Sequence, residues 1–524
     1  NEPMDDPKGT LRIDDHPEVG SLLADDLEDQ PTEGQRLGAA VRPRDGWRMA
    51  RGAMLAFAIA FAVRLPYVNA GLFHHDEVQL ARAVEQTVAE GHVLPAVKGR
   101  YGAVLLNVAL YAPYHAWTGR SAERVVPFTG ILTGALLVAF VLLLAEELTG
   151  DAMAGALAAA FTGASVVFLT SSSTGKENAP QMAFAVLAAW LAVRGVARGS
   201  MALRFAGTAV FAFALTVHEG GILLVPPYAV LVVALDLCHR RGWRSVALDL
   251  AALAAALVVP IRISIWEEIQ RNLVPGTNSA SFLGLLSSRL PEALRDLPAA
   301  FGTPVLALAA VGLAVALRRR DALLALAPWV LVLLYFGNVN SYVARYLLYV
   351  LPPFVVFAGA GGAALVRRWA VGRERLAATL LALATCAPGV ARAYPLLEAR
   401  AGSSGPKAMA LLIKERTEPD AVVLCMDDAA FVEYYAGRQT MGHPADDPAA
   451  IATFVRSVAI RGRAGTPLYA SQTAFTYDNE GAFGVLVSMT FELVPVGEVT
   501  NEWYYRPELA AFPFRDVLYR LVPR

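Results

Sequence analysis

Long apolar runs recur along most of the chain. Ten of them are about 17–21 residues long, the length that a helix needs to cross the hydrocarbon core of a membrane. They lie at 52–70, 125–145, 154–171, 181–197, 221–237, 247–265, 301–317, 322–337, 346–366 and 376–393. Together with the shorter run 205–217, this pattern predicts about eleven membrane-spanning helices.

A twelfth apolar segment, 101–117, decides the orientation of the spans that follow it. If this segment does not cross, four basic loops share one side with the N-terminus, as the positive-inside rule requires. Those loops hold thirteen arginines: Arg194, Arg198, Arg204, Arg240, Arg241, Arg244, Arg318, Arg319, Arg320, Arg367, Arg368, Arg373 and Arg375. We therefore interpret 101–117 as a helix at the membrane surface and place the arginine loops in the cytoplasm. The loop Glu146–Asp151 falls on the same predicted side although it is acidic.

Composition agrees with a membrane protein, because 56% of the 524 residues are hydrophobic and only 17% are charged. Residues 1–46 differ from the rest, with twelve acidic against five basic side chains. We interpret them as a disordered acidic cytoplasmic tail. Three scattered cysteines, Cys238, Cys386 and Cys425, exclude a disulfide framework and a thiolate metal site.

The pattern changes after the last apolar run, so residues 396–524 are predicted to form a separate extracytoplasmic α/β domain. Ala421–Met426 has the composition of a buried strand, and a helix is predicted over Asp428–Tyr435, with Gly437 as its stop. This region contains no phosphate loop or nucleophile elbow. We therefore expect catalysis in the membrane domain, 47–395, and a supporting role for the C-terminal domain.

Charged and polar residues cluster beside the spans on the side opposite the arginine loops. They lie in the segments Phe73–Glu77, Pro95–Arg100, Lys176–Asn178, His218–Glu219 and Asn338–Tyr346. Charged groups at a membrane boundary are costly to desolvate unless they pair or line a wet cavity. The clustering therefore predicts a functional site on the extracytoplasmic face.

An ordered set of motifs runs through the same region. It consists of Arg64-Leu-Pro, Asp76-Glu77, the segment from Gly91 to Lys98, Arg124-Val-Val-Pro, Glu177-Asn-Ala-Pro180 and the stretch from Ala344 to Pro352. This set resembles GT-C fold glycosyltransferases, in particular the branch of protein O-mannosyltransferases and lipid A aminoarabinose transferases. The resemblance covers roughly residues 47–395 and implies an all-α polytopic membrane enzyme.

The resemblance implies inverting transfer of a sugar from a polyprenyl-phosphate donor to an extracytoplasmic acceptor, with Asp76 in the position of the catalytic base. A carboxylate beside the acceptor hydroxyl can remove its proton as the oxygen attacks the anomeric carbon. The leaving phosphate is already ionised, so cations that stabilise its growing charge would carry much of the catalysis. The acceptor stays open among a protein, a lipid and a cell-envelope glycan.

The remaining candidates are assigned by residue type and position. Glu77 and Glu177 are expected to be catalytic beside Asp76, Lys98, Arg100, Arg345 and Tyr346 to bind the lipid phosphate, and His75, His218 and Glu219 to contact substrate or orient a neighbour. Each has a structural alternative: helix capping for Asp76, snorkelling to lipid headgroups for Lys98 and Arg100. Glu177 also departs from the aspartate that is usual in the family.

The resemblance requires no metal, but an alternative is a divalent metal held by His74, His75 and Asp76 together with His218 and Glu219, since imidazole and carboxylate suit zinc or manganese. Two other protein classes compete with the glycosyltransferase: a secondary transporter and a non-catalytic membrane scaffold. Transporters usually carry charged residues on broken helices at the bilayer midplane and two similar halves, and neither is evident. The alanine- and arginine-rich usage favours the plasma membrane of a prokaryote.

Overall fold

The computed structural model describes residues 46–96, 99–238, 242–265, 282–319, 322–336, 344–426, 428–444, 447–476, 481–502, 509 and 513–524. The predicted acidic tail lies outside these ranges except for Gly46.

The described part up to residue 402 is helical. Its α-helices are α1 Gly46–Arg64, α2 His75–Glu90, α3 Tyr101–Thr118, α4 Val125–Thr149, α5 Ala152–Ala164, α6 Val166–Ser172, α7 Asn178–Arg198, α8 Met201–Val217, α9 Val225–Cys238, α10 Trp243–Pro260, α11 Phe282–Phe301, α12 Thr303–Arg319, α13 Ala327–Phe336, α14 Leu351–Trp369 and α15 Glu374–Gly402. Short 3₁₀ segments cover Leu65–Tyr67, Ala122–Arg124, Glu219–Leu224, Ala322–Leu326 and Ala344–Tyr349, and a π-helical turn covers Ile261–Ile265.

Within the described residues, six helical segments are long and apolar enough to cross a membrane: Gly46–Tyr67, Ala122–Thr149, Asn178–Arg198, Gly220–Leu237, Trp243–Ile263 and Glu374–Arg416. Two helix pairs bent by 63° and 104°, Ala152–Ala164 with Val166–Ser172 and Leu290–Phe301 with Thr303–Arg318, raise the number to eight if each pair is one span. These segments coincide with predicted runs, so a polytopic membrane protein is confirmed, but the count of eleven is not.

Helix α3 covers the segment that the sequence analysis placed at the membrane surface. It has 18 residues and ends at Gly119, whose φ of 66° lies in the left-handed region that favours glycine. The helix is therefore confirmed, and its position relative to the membrane stays a prediction.

Glycines allow the membrane helices to approach closely. A Cβ added at Gly312 of α12 would lie 1.9 Å from the carbonyl oxygen of Phe357 in α14, and one at Gly361 would lie 2.1 Å from that of Leu308. Small residues at such crossings are how helices pack in lipid, where no hydrophobic effect drives them together.

Ion pairs hold the end of the bundle that carries the arginine loops. The acidic loop Glu146–Asp151 belongs to this end, because Glu147 pairs with Arg194 and Asp151 with Arg367, each at 2.7 Å. Its acidity is thus explained by direct neutralisation of arginines. Arg194 is buried rather than solvated in a loop as the sequence suggested.

A second buried pair at this end joins three helices. Arg204 of α8 contacts Asp236 of α9 at 2.7 Å and also Asp249 of α10, and Ser245 accepts a hydrogen bond from the same guanidinium. All three charged residues are buried. They fix α8, α9 and α10 together without an opening toward solvent.

The C-terminal region forms the predicted α/β domain around one mixed sheet. Its strands are β1 Val422–Leu424, β2 Gln439–Met441, β3 Leu468–Ser471, β4 Phe491–Glu502 and β5 Pro513–Pro523, in the order β2-β1-β3-β5-β4. Strands β1, β2 and β3 are parallel, while β5 pairs antiparallel with β3 and β4. The α-helices are α16 Gly405–Arg416, α17 Ala429–Phe431, α18 Pro448–Arg463, α19 Thr473–Thr476 and α20 Ala482–Thr490, and a π-helical turn covers Val432–Ala436.

The local predictions for this domain are confirmed. Strand β1 lies inside Ala421–Met426, and the helical segment after it ends at Gly437, whose φ is 64°. Buried apolar side chains of β1 and β3 form the core, which explains why the strand was readable from an uninterrupted apolar run.

Candidate active site

The start of α2 positions the two acidic residues that follow the first membrane helix, α1. His74 is the N-cap, and its Nδ1 accepts a hydrogen bond from the backbone N–H of Asp76 at 3.1 Å. Asp76 and Glu77 occupy the first turn, where carboxylates are favoured by the helix dipole. Asp76 is therefore not the cap itself, and its carboxylate is available for other partners.

Asp76 lies between cations. Its Oδ2 accepts from Lys176 Nζ at 2.8 Å and from Arg100 Nη1 at 3.2 Å, and its Oδ1 lies 3.0 Å from His75 Nε2. Burial raises the pKa of Asp76, but Lys176, the hydrogen bond with His75 and Arg100 together outweigh burial and hold that pKa well below its usual range. The carboxylate is thus ionised at neutral pH.

Arg100 joins the first loop to the turn before α7. Besides Asp76, its Nη1 donates to Glu177 Oε1 at 2.9 Å, and both Arg100 and Glu177 are buried. Lys176 beside them is also buried, and burial together with the charge of Arg345 lowers its pKa to about 8 despite the opposing effect of Asp76. The site therefore holds two carboxylates and two cations in direct contact.

Glu77 lies on the buried side of this cluster, near enough to Lys176 and Glu177 for both charges to affect its pKa. Its Oε2 accepts a hydrogen bond from the backbone N–H of Phe73 at 2.8 Å, and the side chain is almost fully buried. Burial raises the pKa of Glu77 to about 7, although the Phe73 N–H and Lys176 act in the opposite direction. The bond from Phe73 fixes the loop before α2, and a catalytic role for Glu77 stays a prediction.

A buried network behind Glu177 connects three further elements. Tyr349 donates its hydroxyl proton to Gln181 Oε1 at 2.7 Å and accepts from Asn178 Nδ2 at 2.8 Å. Gln181 Nε2 donates to the carbonyl oxygen of His218 at 2.7 Å. The ring of His218 accepts at Nδ1 from the backbone N–H of Gly220, which is the hydrogen bond that caps the following 3₁₀ turn.

The predicted phosphate-binding residues fall into two groups. Arg345 lies near enough to Lys176 and His74 to lower the pKa of both side chains, and its guanidinium covers the ring of Tyr346 at 5.5 Å. Arg345 and Arg100 therefore belong to the same positive region as Lys176. Lys98 and the side chain of Glu219 lie outside the described residues.

Only part of the metal hypothesis has a structural counterpart. Within the described ranges, one group of candidate ligands is found, His74, His75 and Asp76, whose ligand atoms lie within 4.8 Å of one another. His218 is not in this group. The fit to a metal is poor, because Asp76 already receives positive charge from Lys176 and Arg100, and His74 Nδ1 is used by the helix cap.

Several residues of the site were missed from the sequence. Lys176 was recognised only as part of a polar turn, although its neighbour Glu177 was singled out. Tyr349 lies in the motif from Ala344 to Pro352, from which only Arg345 and Tyr346 were singled out, but it is buried and hydrogen bonded. Asn178 and Gln181 lie one turn apart on α7, facing the same partner. Asn178 and Gln181 lie one and four positions after Glu177, and this nearness in sequence could have marked them as site residues.

The C-terminal domain contacts the loop that carries Asp76. The hydroxyl of Tyr435 accepts from the backbone N–H of Leu72 at 3.3 Å and donates to Glu123 at 3.1 Å, and Tyr434 donates to Glu85 at 2.7 Å. Around these tyrosines, four further bonds reach across: Lys407 to Glu123, Arg82 to Glu433, Ser404 Oγ to the carbonyl oxygen of Leu72, and the N–H of Ala70 to the carbonyl oxygen of Arg400. The loop before α2 is thus held both by contacts with the start of α2 and by contacts with the C-terminal domain.

The fold agrees with solved structures of membrane glycosyltransferases. ArnT from Cupriavidus metallidurans, in the apo state and bound to undecaprenyl phosphate, is similar with TM-scores of 0.57 and 0.55, at 16% identity, covering 91% of this chain and 98% of ArnT. The chain has the GT-C fold. The Archaeoglobus fulgidus oligosaccharyltransferase in complex with Zn and sulfate matches this GT-C chain with a TM-score of 0.56 and 15% identity, over 87% of this chain and 72% of the other.

Two further comparisons bear on this GT-C protein. The mycobacterial arabinofuranosyltransferase AftD matches with a TM-score of 0.52 and 16% identity, over 93% of this chain but 42% of AftD. Residues 110–266 match the family model of dolichyl-phosphate-mannose-protein mannosyltransferases. Comparison with curated protein sequences gives no match. The resemblance inferred from the motifs is therefore confirmed at the level of the fold.

Proposed function

We propose that this GT-C protein transfers a sugar from a polyprenyl-phosphate donor to a hydroxyl acceptor, with inversion and with Asp76 as the general base. The observation that carries the proposal is the position of Asp76, an ionised carboxylate in contact with Lys176 and Arg100. A base for the acceptor and cations for the leaving phosphate are what this reaction needs, and the site offers both within one set of contacts.

The comparisons support the donor class. One solved ArnT structure is bound to undecaprenyl phosphate, and the matching family model is described by dolichyl-phosphate-mannose. Both names contain a polyprenyl phosphate, which supports a lipid-linked donor for this protein.

The proposed step balances in atoms and charge. The acceptor oxygen attacks the anomeric carbon while its proton passes to a carboxylate oxygen of Asp76. The bond between the anomeric carbon and the phosphate oxygen breaks, and the electron pair leaves with the polyprenyl phosphate. Lys176, Arg100 and Arg345 supply positive charge to the phosphate as its negative charge grows.

The ion pairs of Asp76 give a reason for the donor to bind first. While Lys176 and Arg100 contact Asp76, its pKa is well below the usual range and it is a weak base. A phosphate that draws these cations to itself weakens their contacts with Asp76 and raises the basicity of the carboxylate. The base would then be activated only in the donor complex.

Lys176 and Arg100 also take the role that a divalent metal would have. A metal at His74, His75 and Asp76 would compete with both cations for the same carboxylate, so these residues fit a metal poorly. The zinc and sulfate in the archaeal oligosaccharyltransferase structure belong to that protein. We further propose that the site faces the extracytoplasmic side and that the C-terminal domain holds the first loop in place.

The deciding experiment compares wild type with Asp76→Asn, using purified full-length protein in lipid, radiolabelled polyprenyl-phosphate sugars and mixed envelope acceptors. Loss of a general base is expected to lower the transfer rate about 10²–10⁴-fold while donor binding is kept. Glu90→Gln, an exposed acid at the far end of α2, is the matched control and should transfer like wild type.

Three results would contradict the proposal in whole or in part. Wild type that neither binds nor consumes any such donor would remove the glycosyltransferase assignment. Donor accumulation inside vesicles without transfer to any acceptor would favour the transporter instead. Full activity of Asp76→Asn would keep the reaction but reassign the base.

A further inference from the structure

A cavity lies away from the candidate active site, among helices that belong to membrane spans. It has a volume of about 500 Å³ and is lined by α1, α4, α5, α6 and α15. Apart from Arg64 and the thiol of Cys386, its lining residues are glycine, alanine, valine, leucine and isoleucine. Such walls offer nothing to a polar solute and suit a hydrocarbon chain.

The cavity is long in the direction of the spans. On α1 it follows Gly52, Ala56 and Ala60 to Arg64, four residues that lie four apart and therefore share one helix face. Twelve residues of helix rise correspond to about 18 Å. Half of a hydrocarbon core of about 30 Å is close to that length, so the cavity matches the depth of one leaflet.

The small side chains of the wall open this space. Ala160 and Gly163 of α5 and Ala382 of α15 face the same cavity as Ala56 and Ala60. Helix α1 is also the least enclosed of the early spans, with 17% of its apolar window buried, against 78% for α4. A chain in the cavity would fill the gap between α1 and the rest of the bundle.

Arg64 closes one end of the cavity with an unsatisfied charge. The residue is 2% exposed, its Nη2 donates to Ser172 Oγ at 2.6 Å, and the guanidinium covers the ring of Phe168 at 4.3 Å. Its Nε and Nη1 have no hydrogen-bond acceptor, and no carboxylate pairs with it among the residues that the structure describes. A buried guanidinium left this way is costly unless an anion reaches it.

Arg64 is separate from the cations of the candidate active site. It contacts Ser172, whereas Asp76 contacts Lys176, further along the same segment. Between them the chain is packed against α4, where a Cβ at Gly130 would lie 2.0 Å from the carbonyl oxygen of Thr174. This packing closes the direct path between Lys176 and Arg64 along the segment from Ser172 to Lys176, so we treat the cavity as separate from the donor phosphate position.

We propose that this cavity binds one chain of a membrane phospholipid and that Arg64 holds the headgroup phosphate. The apolar wall supplies the site for the chain, its length matches one leaflet, and the free N–H groups at its end are donors for a phosphate oxygen. The bound lipid completes the packing of α1 against α5 and α15. This site is independent of the proposed sugar transfer.

The test is lipid binding by delipidated full-length protein in detergent, followed by native mass spectrometry. Dioleoyl-phosphatidylglycerol is compared with dioleoylglycerol, which has identical chains and no phosphate. Wild type is expected to bind one phosphatidylglycerol at least about tenfold more tightly than the diacylglycerol, a difference of roughly 1.4 kcal/mol.

Two variants distinguish the contribution of the Arg64 charge to lipid binding from the contribution of the apolar cavity. Arg64→Met should bind both lipids equally, because the phosphate has lost its partner, while Ala56→Leu, which fills the cavity, should weaken both. Arg124→Met is the matched control, an exposed arginine just before α4, and should retain the wild-type preference.

Three outcomes would overturn the proposal. The first is equal binding of the two lipids by wild type, and the second is an unchanged preference in Arg64→Met. The third is displacement of phosphatidylglycerol from the Arg64-dependent site by stoichiometric undecaprenyl phosphate. That result would make the cavity part of the donor site. If Arg64→Met does not fold, the wild-type comparison and Ala56→Leu still decide. Because no sugar transfer is measured, failure here leaves the proposed function untouched.

Discussion

The two ends of α7 lie beside two clusters of buried charge that differ in access. Near its C-terminal end, Arg194 pairs with Glu147, and the neighbouring Arg204 pairs with Asp236, whose side chain is 0% exposed. Before its N-terminal end, Lys176 pairs with Asp76, whose side chain is 14% exposed, beside His75 at 39%. Ion pairing alone therefore does not mark a site, whereas a paired carboxylate that a ligand can still reach does.

The cluster of Arg194 and Arg204, which is closed to solvent, should affect the stability of the fold and have no effect on the transfer rate. Arg204→Met removes the cation and leaves Asp236 and Asp249 buried against each other. Breaking a buried pair in this way costs about 3–5 kcal/mol, so a large drop in unfolding temperature is expected. Thermal unfolding in detergent measures the drop, and the transfer rate per folded molecule should equal that of wild type. A slower rate in the folded fraction would mean that the two ends are coupled.

The cluster of Lys176 and Asp76, which is open to solvent, should affect the transfer rate more than the stability of the fold. Lys176→Met removes a cation from Asp76 and from the proposed phosphate position, and a loss of about 10²-fold in transfer rate is expected. Since the pKa of Lys176 is about 8, its charge is lost as the pH rises through that value. The wild-type rate should therefore fall above pH 8, and the variant should lack this decline. An identical alkaline decline in both proteins would assign it to another group.

Glu77, a buried residue beside the cluster of Lys176 and Asp76, should affect the stability of the fold in a way that depends on pH. Its pKa is raised from 4.5 to about 7, so the folded state keeps a proton that the unfolded state loses between these values. Wild type should lose stability as the pH rises through this window, by at most about 3 kcal/mol, and the loss levels off above pH 7. Glu77→Gln carries no titrating proton, so its unfolding temperature should change less from pH 4.5 to 7.5. A wild type that gains stability relative to Glu77→Gln as the pH rises would contradict the assignment.

The smallest effect is expected where the C-terminal domain meets the first loop. Tyr435→Phe loses the hydrogen bonds to Leu72 and Glu123, each worth about 1 kcal/mol. Faster hydrogen exchange at the Leu72 amide is the expected readout. Tyr469→Phe loses a similar bond to Glu418 within the C-terminal domain and should leave the Leu72 amide unchanged. Equal protection of this amide in Tyr435→Phe would show that Ser404 and Arg400 suffice to hold the loop.

The sequence predicted elements whose signal is local. The apolar run 181–197 lies within α7, Asn178–Arg198, and strand β1 lies within the apolar stretch beginning at Ala421, because length and apolar composition decide both. Asp76, Arg100 and Glu177 were singled out by their position beside spans. Their direct contact did not follow from the sequence, because Asp76 lies 24 residues and Glu177 lies 77 residues from Arg100 along the chain.

What escaped prediction depends on contacts between distant segments. Arg204 looked like a loop arginine because its partners Asp236 and Asp249 lie 32 and 45 residues further along the chain. Tyr349 resembled any boundary tyrosine, and only the packing of the 3₁₀ segment Ala344–Tyr349 against α7 reveals its role. Burial of a polar group is set by the tertiary fold, so composition does not disclose it.

The bond between Leu72 and Tyr435 joins residues 363 positions apart. During synthesis at about 5–20 residues per second, roughly 20 to 70 seconds separate the emergence of these two residues. The first span and the loop with Asp76 therefore enter the membrane long before the domain that clamps them exists. A chain interrupted before residue 400 would carry every charged group of the candidate site and still lack the contacts that hold its first loop, so this loop is fixed only after Tyr435 has been synthesised.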